Sequence, residues 1–266
     1  MIRMEYLIST MFCNDGLALY KKMNIKSNAI IINQSNLFNY CEYIFNDSNI
    51  KVYTFDEKGI GISRNSALMR SSADICIISD DDMVYVDNSS DIIKNAYKKY
   101  PDADMIVFNV RVHQNREIRN TVKKNGRVHM LNSLRYGTVT FTFRRDSIIN
   151  SNIFFSLDFG GGAKYGSGED SIFIWDVIRS GHRVYSVSDT IADVYNDDSS
   201  WFEGYNEKYF YDRGALFKKL SKNFYKILII QFIIRKKDIV KKSSYSKKDL
   251  YKIMSKGASN YGKKKN

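Results

Sequence analysis

ICIISDDDMVYV, residues 75–86, places an apolar run directly before Asp80, Asp81 and Asp82 and then returns to apolar residues. A short run that is apolar at nearly every position is typical of a central parallel strand with helices on both of its faces. Three neighbouring carboxylates repel one another, so chain folding alone does not favour them. A divalent cation would offset that repulsion, and Mg²⁺ and Mn²⁺ both prefer oxygen ligands. The structural alternative is an acidic turn that caps the following helix.

Strand and helix patterns alternate on both sides of this stretch. Strands are predicted over residues 5–10, 29–33, 51–55, 75–79 and 104–112, and helices over 15–23, 37–45, 63–72 and 89–100. Ser63 is placed to cap the third of these helices. The alternation predicts an α/β fold with a mostly parallel, Rossmann-like sheet flanked by helices. Ligands of such sheets bind beyond the carboxyl ends of the strands, which is where the three aspartates lie.

The second half of the chain is less regular. Strands are predicted over residues 138–146, 153–159 and 182–189, and a helix over 171–181. A loop with five glycines connects two of these elements over residues 159–170. From about Asn206 the sequence becomes helical, aromatic and rich in lysine. We therefore expect an α/β domain over residues 1–217 and a basic helical extension over residues 218–266.

Charge separates these two parts of the chain. The net charge is +12, yet the 16 Lys and Arg residues from Lys218 onward face only two acidic residues, so the first 217 residues are nearly neutral. A neutral body argues against a domain that binds nucleic acid, and no nucleic-acid partner is expected. A helix with apolar and basic faces can bind an anionic membrane surface. Packing on the body and binding to another protein are the alternatives for this extension.

The cysteines and the apolar runs bear on the compartment. Cys13, Cys41 and Cys76 form neither a CxxC pair nor an even-numbered disulfide framework, so a reducing cytoplasm is expected. The N-terminus lacks the apolar core of a signal peptide. The longest apolar run, residues 227–234, is far shorter than the roughly 20 residues that span a bilayer. We expect a cytoplasmic protein that binds at most peripherally to the inner face of the cell membrane.

Two further motifs can carry chemistry. GIGISRNSAL (residues 59–68) places two glycines before a helix, where they could cradle a phosphate, but its spacing matches no established phosphate loop. Arg64 in this motif could reach an anionic ligand or lie in solvent. GSGED (residues 166–170) places two carboxylates at the start of a helix, where they complement the helix dipole. Alternatively, the same pair provides a general base beside a substrate-binding acid.

Together these motifs resemble those of the family 2 glycosyltransferases, which have a GT-A fold and use nucleotide sugars. In that family a helix motif similar to GxSxARNxAL precedes a strand that ends in DxDD, and an ED pair opens a later helix. GIGISRNSALMRSSADICIISDDDM and GEDSIFIWDVIRSG supply these features in the same order. The resemblance spans roughly residues 3–215.

The resemblance implies a role for each matching residue. Asp170 matches the catalytic base, and Glu169 matches its acceptor-binding neighbour. Asp80 and Asp82 match the metal-binding acids of the DxD motif, and Asp80 would also contact the ribose of the donor. The residues implied on the nucleotide-donor side are Thr10, Phe12, Asn33, Arg64, Asn65, Asp80 and Asp81.

The chain departs from the family pattern at three places. Asn33 stands where the family usually has an acid near the nucleotide base, and Met83 replaces a frequent final Asp of the metal motif. Many relatives also have a metal-binding His on a later strand, at about residues 194–201. No His is present there, so a third protein ligand is absent or is supplied by Asn196, Asp197 or Asp198.

The predicted reaction is the inverting, metal-dependent transfer of a hexosyl group from a nucleotide sugar, most simply a UDP-sugar. The acceptor is a glycan or lipid-linked glycan in surface polysaccharide synthesis, and the cofactor is Mn²⁺ or Mg²⁺. Trp201 is a candidate for acceptor binding because aromatic faces pack against sugar rings, or it belongs to the joint between body and extension. One alternative is a sugar-phosphate nucleotidylyltransferase, although STMFCNDG (residues 9–16) lacks the expected Gly-rich, Arg-containing loop. The other is a non-enzymatic module that binds membrane or nucleic acid.

Overall fold

An eleven-stranded sheet forms the centre of the computed structural model, which describes residues 2–114, 117–195 and 204–263. The strands are β1 (Met4–Met11), β2 (Asn28–Ser35), β3 (Asn39–Phe45), β4 (Ser48–Asp56), β5 (Ile75–Asp80), β6 (Met83–Tyr85), β7 (Met105–Gln114), β8 (Glu117–Asn120), β9 (Gly126–Val128), β10 (Phe141–Arg144) and β11 (Val184–Tyr195). Along the sheet they follow the order β3-β4-β2-β1-β5-β10-β7-β11-β6, with β8 beside β7 and β9 beside β11.

The helices pack around this sheet. They are α1 (Gly16–Lys22), α2 (Ile60–Arg70), α3 (Ser89–Lys99), α4 (Met130–Ser133), α5 (Arg145–Asn150), α6 (Glu169–Arg179), α7 (Glu207–Leu220), α8 (Tyr225–Arg235), α9 (Lys237–Lys242) and α10 (Lys247–Asn260). The described chain thus has the α/β architecture that the sequence predicted.

The direction of the strands defines one edge of the sheet. Strands β4, β2, β1 and β5 pair in parallel, and β11 pairs in parallel with β7. Strand β10 is antiparallel to both β5 and β7, so β7 and β11 point the same way as β5. The mostly parallel sheet is confirmed. The carboxyl ends of β1, β2, β5, β7 and β11 meet along one side, which we call the site edge.

Strand β5 is buried on both of its faces. Ile75 and Ile77 belong to the apolar cluster on one face of the sheet, and Cys76 and Ile78 belong to the cluster on the other face. This two-sided burial explains why the run before the three aspartates contains no solvent-facing polar residue, because a central strand is covered on both sides.

The segment that was predicted as a helix over residues 37–45 is instead strand β3, so that prediction was wrong. It forms a hairpin with β4, and the rings of Tyr40 and Tyr53 lie 4.8 Å apart across the pair. The connecting residues Asn46 and Asp47 both have positive φ angles, 48° and 61°. Two-residue turns of this kind match the twist of a hairpin and favour Asn and Asp. The turn chemistry outweighed the helical spacing of the apolar residues.

Two other strand predictions need correction. The strand predicted over residues 138–146 is only four residues long, because a 3₁₀ turn (Thr138–Thr140) precedes β10 and helix α5 follows it. Residues 153–159 form no strand. The backbone N–H and C=O of Phe155 pair with the side chain of Asn65, at 2.8 and 2.9 Å, rather than with a neighbouring strand.

The C-terminal helices pack on the body through a third apolar cluster. Phe159, Tyr165 and Trp175 from the body meet residues of α7, α8 and α10 there. Helices α7 and α10 cross at Gly214 and Gly257, where a Cβ atom on Gly214 would lie 1.9 Å from the carbonyl oxygen of Met254. Only glycine permits that approach, so the helical extension has a specific packed position. The boundary predicted after residue 217 falls inside α7.

The apolar segment of the extension is short. Within the part of the chain that the structure describes, no helix combines the length and the hydropathy needed to cross a bilayer.

Candidate active site

The three consecutive aspartates lie at the site edge, but their side chains take different partners. Asp80 ends β5 and accepts hydrogen bonds from Nη2 of Arg64 at 2.9 and 3.3 Å. Asp81 accepts a hydrogen bond of 2.6 Å from Oγ1 of Thr10, at the end of β1. The Oδ1 atom of Asp82 is buried and has no hydrogen-bond partner among the described residues. The three carboxylates are therefore held apart by the chain.

Arg64 joins the three sequence motifs in one cluster. Its side chain is buried, with 3% exposed, and Nη1 donates a hydrogen bond of 2.9 Å to Oε1 of Glu169 while Nη2 binds Asp80. Burial lowers the pKa of Arg64, but the carboxylates of Asp80 and Glu169 outweigh it and the pKa is raised overall. One fixed guanidinium thus connects helix α2, strand β5 and helix α6, which are separated in the sequence.

The start of α2 differs from the prediction. The helix begins at Ile60 with Gly59 as its N-cap, so Ser63 lies inside the helix and is not its cap. The buried hydroxyl of Ser63 donates a hydrogen bond of 2.8 Å to Oγ of Ser9 on β1. Ser63 therefore anchors α2 on the sheet one residue before Arg64, which fixes where the guanidinium points.

The two glycines of the α2 motif let neighbouring backbone segments pack closely against the start of the helix. The N–H of Gly59 donates to Oε1 of Gln34 at 3.2 Å, and the N–H of Ile60 donates to the carbonyl oxygen of Gly161 at 3.0 Å. A Cβ atom on Gly61 would lie 2.3 Å from the carbonyl oxygen of Ser156. Because these N–H groups are bonded within the chain, the motif holds the glycine-rich loop against α2, and the phosphate-cradle alternative gains no support.

Asp170 occupies the first turn of α6, next to this cluster. Its burial and the adjacent charge of Glu169 raise the pKa of Asp170 to about 6, while Arg213 and Arg64 act in the opposite direction. Its Oδ1 atom accepts a hydrogen bond of 2.6 Å from the N–H of Ser171. A carboxylate with a pKa near the working pH can accept a proton from a substrate hydroxyl and later release it.

The residues predicted on the donor side divide into two groups. Phe12 follows β1, is 64% exposed and has a φ angle of 51°, which is unusual for a bulky residue and is found most often at functional sites. Thr10 is bonded to Asp81, as described above. Asn33 and Asn65, in contrast, bind backbone groups: Asn33 holds the N–H and C=O of Cys13 at 2.8 and 2.9 Å. Their contacts shape the loops around the edge, and nucleotide binding by them stays a prediction.

A second polar cluster at the site edge was not predicted. Asp193 on β11 accepts hydrogen bonds from Nε of Arg111 at 2.8 Å and contacts Nε2 of His113 at 2.6 Å, both on β7. The ring of His113 stacks on Tyr195 at 4.7 Å. The available signal was the alternation of Arg111 and His113 at the end of an apolar strand, since such positions lie at the ligand-binding edge of a parallel sheet.

Several predicted positions lie outside the described residues. These are the acceptor candidate Trp201 and the substitute metal ligands Asn196, Asp197 and Asp198. Strand β11 ends at Tyr195, whose N–H donates to the backbone oxygen of Asp82 at 3.2 Å, so Tyr195 lies beside the aspartates.

The aspartates fit a divalent cation, although the described residues do not form a complete ligand cage. Within residues 2–114, 117–195 and 204–263, no group of three or more His, Cys, Asp and Glu side chains is arranged around a common point. Burial and the charges of Asp80 and Asp81 raise the pKa of Asp82 to about 6, and one of its oxygens lacks a donor. An unpaired buried carboxylate is costly, and a cation would satisfy it. Mg²⁺ and Mn²⁺ commonly use one or two carboxylates together with substrate phosphates.

Comparisons with known proteins support the fold. Neither a protein-family model nor a curated protein matches the chain. Among solved structures it is similar to S. aureus TarS residues 1–349, with a TM-score of 0.58, 13% identity, and coverage of 98% of this chain and 71% of that chain. The same protein in complex with UDP-GlcNAc gives a TM-score of 0.60 at 13% identity, covering 96% and 71%, and the complex with UDP gives 0.59 at 13%, covering 97% and 71%. At this identity the likeness establishes the architecture alone: the chain has the α/β fold of TarS.

Proposed function

We propose that this protein is an inverting, metal-dependent glycosyltransferase that moves a hexosyl group from a nucleotide sugar to a glycan or lipid-linked glycan. The observation that carries the proposal is the position of Arg64, which bonds Asp80 and Glu169 at once. This pairing places the aspartate motif and the GED motif at one edge of a glycosyltransferase fold. Surface polysaccharide synthesis is the process in which such a reaction is expected.

Asp170 is the proposed base. It accepts the proton of the acceptor hydroxyl while the hydroxyl oxygen forms a bond to the anomeric carbon of the donor. The bond between that carbon and the diphosphate oxygen breaks in the same displacement, so the nucleoside diphosphate leaves and the anomeric configuration inverts. The raised pKa of Asp170, about 6, leaves it ionised at neutral pH and yet basic enough to take the proton.

The aspartates would hold the cation, with Asp82 as the first ligand and Asp80 as the second. Bound there, Mn²⁺ or Mg²⁺ supplies electrostatic stabilisation of the departing diphosphate. Arg64 keeps Asp80 in place through its ion pair, and Thr10 orients Asp81. Phe12 is exposed at the end of β1, where it can border the nucleotide base.

A UDP-sugar is the proposed donor, and the similarity to TarS in complex with UDP-GlcNAc and with UDP supports this choice. A thermal-shift screen of the full chain with UDP-, GDP- and other nucleotide sugars, each with and without Mn²⁺, tests it. We expect a stabilising shift with a UDP-sugar that requires the metal. No shift with any nucleotide sugar would overturn the proposal.

The product of the reaction separates the two enzyme alternatives. A glycosyltransferase releases a nucleoside diphosphate and needs an acceptor hydroxyl. A nucleotidylyltransferase releases pyrophosphate when it forms a nucleotide sugar from a sugar phosphate and a nucleoside triphosphate. Release of pyrophosphate from UTP and a sugar phosphate would favour the second alternative.

A further partner that we propose is an anionic membrane surface. Helix α8 and the residue before it expose Phe224, Ile227, Ile230 and Ile234, at 47–63% of their surface, while its opposite side packs on the body. The same stretch of chain carries six exposed lysines: Lys222, Lys226, Lys236, Lys237, Lys241 and Lys242. An exposed apolar face on a lysine-rich stretch matches the chemistry of an anionic bilayer surface.

Sedimentation of the full chain with vesicles tests this partner. We expect binding to phosphatidylglycerol–phosphatidylcholine vesicles but not to phosphatidylcholine alone, and loss of binding in the double variant Ile227→Asn/Ile234→Asn. Ile44→Asn removes a still more exposed isoleucine from β3 and serves as the control. If both variants still bound the anionic vesicles, α8 would not be the membrane-binding face. A non-enzymatic membrane module would show the same vesicle binding but no response to nucleotide sugars.

A further inference from the structure

A cavity of about 560 Å³ lies between the body and the C-terminal helices, beside the proposed base. Ser171, the residue after Asp170, lines it, together with residues of α4, α7, α8 and α9. Its size is within the range of pockets that hold small ligands. The position next to the base, rather than at the donor side of Arg64, distinguishes this cavity from the nucleotide site.

Four cationic side chains line the cavity, and no acidic one does: Arg135, Arg213, Arg235 and Lys236. None of them forms an ion pair within the described ranges 2–114, 117–195 and 204–263. The Nε atom of Arg213 is buried and has no hydrogen-bond partner among those residues, although its guanidinium lies over the rings of Tyr209 and Phe232 at 5.4 and 5.9 Å. Clustered cations that form no ion pair among the described residues favour an anionic ligand.

The remaining wall of the cavity is mostly apolar. Its apolar side chains are Leu131, Leu134, Leu216, Phe217, Leu228, Phe232 and Ile239, and its other lining residues are Asn132, Ser171, Tyr209 and Gln231. Leu131 is 85% exposed at the rim, and the same helix α8 that contributes Leu228 and Phe232 presents the exposed apolar face on its outer side. A site that combines apolar walls with several cations suits a ligand with an apolar chain and a phosphate group.

We propose that this cavity is the acceptor subsite and that it binds a phosphate group attached to a lipid chain. The inference rests on the proposed function, because it assigns the cavity to the acceptor of that reaction. The guanidinium groups of Arg135, Arg213 and Arg235 and the ammonium of Lys236 bind the phosphate oxygens, and the leucine and phenylalanine side chains cover the first part of the chain. The sugar hydroxyl of the acceptor then reaches Asp170 from the cavity side.

Isothermal titration of the full chain tests the subsite directly. Saturating UDP and Mg²⁺ fill the donor site first, so that a phosphate cannot bind there. The probes are geranyl monophosphate, inorganic phosphate, glycerol 3-phosphate and geraniol. We expect geranyl monophosphate to bind at least about tenfold more tightly than the other three, since only it uses both the cations and the apolar wall. Equal binding of inorganic phosphate or glycerol 3-phosphate would overturn the lipid assignment, and no binding of any phosphate would overturn the subsite.

A matched pair of variants locates the binding. Arg235→Gln/Lys236→Gln removes two charges that line the cavity, and Lys241→Gln/Lys242→Gln removes two exposed charges of α9 that do not. We expect the first variant to weaken geranyl monophosphate binding about tenfold and the second to change it less than twofold. Equal effects would show a general charge interaction and overturn the site.

Separate titrations with UDP distinguish a failure of the proposed function from a failure of the acceptor subsite. Both double variants should bind UDP as the unaltered chain does. If UDP fails to bind the unaltered chain, the proposed function fails. If UDP binds but geranyl monophosphate does not, only the acceptor subsite fails.

Discussion

Asp170 lies between two regions of opposite charge. On the side of Glu169, the buried guanidinium of Arg64 pairs with Asp80 and Glu169, and two more carboxylates, Asp81 and Asp82, follow Asp80 in the chain. On the side of Ser171, four cations line a cavity that has no acid in its wall. We propose a metal ion for the acidic region and an anionic ligand for the basic region. In the proposed reaction, the donor and the acceptor therefore reach Asp170 from opposite sides, the donor through the acidic region and the acceptor through the basic region.

The largest expected effect comes from the residue between the two regions. Asp170→Asn removes the proposed base but keeps the shape of the side chain, so we expect the turnover number to fall by about 10³, with donor binding unchanged. Asp176→Asn, also in α6, is the matched control and should change turnover less than about twofold. Turnover and UDP-sugar titration check both variants. Full turnover in Asp170→Asn would remove the base from the account.

The acidic region also depends on Arg64 for stability. Arg64→Met leaves Asp80 and Glu169 without their buried partner, and breaking such a pair costs about 3 kcal/mol of the free energy of unfolding. Arg3→Met breaks an exposed pair with Asp74 and should cost less than about 1 kcal/mol. Urea denaturation measures both. A small loss in Arg64→Met would mean that the cluster is not held by this residue.

Replacing Asp82 should weaken metal binding more than replacing an exposed acid nearby. In the presence of UDP, Mn²⁺ at a hundredfold excess over its Kd should stabilise the unaltered chain by about 2–3 kcal/mol. Asp82→Ala removes the carboxylate with an unpaired oxygen, so this stabilisation should vanish. Asp87→Ala removes an exposed carboxylate and should keep it. Thermal unfolding with and without Mn²⁺ gives the comparison. Equal metal responses in the two variants would place the metal elsewhere.

The smallest effect is on the pH profile. Asp170 must be ionised to act as a base, so kcat/KM, measured with enough Mn²⁺ to keep Asp82 ionised, should fall about tenfold per pH unit below the Asp170 pKa of about 6. Glu169 on the same helix raises this pKa, while Arg213 on α7 and Arg64 on α2 lower it. Glu169→Gln should therefore move the acid limb to lower pH. Glu207→Gln, which changes an exposed acid at the start of α7, is the control and should leave the acid limb where it is. An acid limb that moves to higher pH in Glu169→Gln would contradict the assignment of the limb to Asp170.

The acidic region could be predicted from the sequence because its parts are local. Asp80 to Asp82 follow one strand, Arg64 lies in the helix just before it, and the apolar run that precedes them shows a central strand. Because neighbouring strands are parallel, their carboxyl ends lie at one edge of the sheet. Their pairing through Arg64 could not be predicted, since the distance between α2 and α6 depends on the packing of the glycine-rich loop.

The basic region could not be predicted for the opposite reason. Arg135, Arg213 and Arg235 are far apart in the chain, and they line one cavity only because α7, α8 and the segment after α4 pack together. In the sequence these cations are indistinguishable from the many solvent-exposed lysines of the extension. The wrong helix over residues 37–45 has a similar cause, because the turn at Asn46 and Asp47 decided the structure and the apolar spacing did not.

Anomalous diffraction at the manganese edge, from a crystal of the full chain grown with UDP and Mn²⁺, tests the central claim most directly. We expect one strong anomalous peak within coordination distance of the Asp82 carboxylate, with the diphosphate of UDP beside it and the base near Phe12. An ordered UDP bound elsewhere, or a manganese peak away from all three aspartates, would contradict the account.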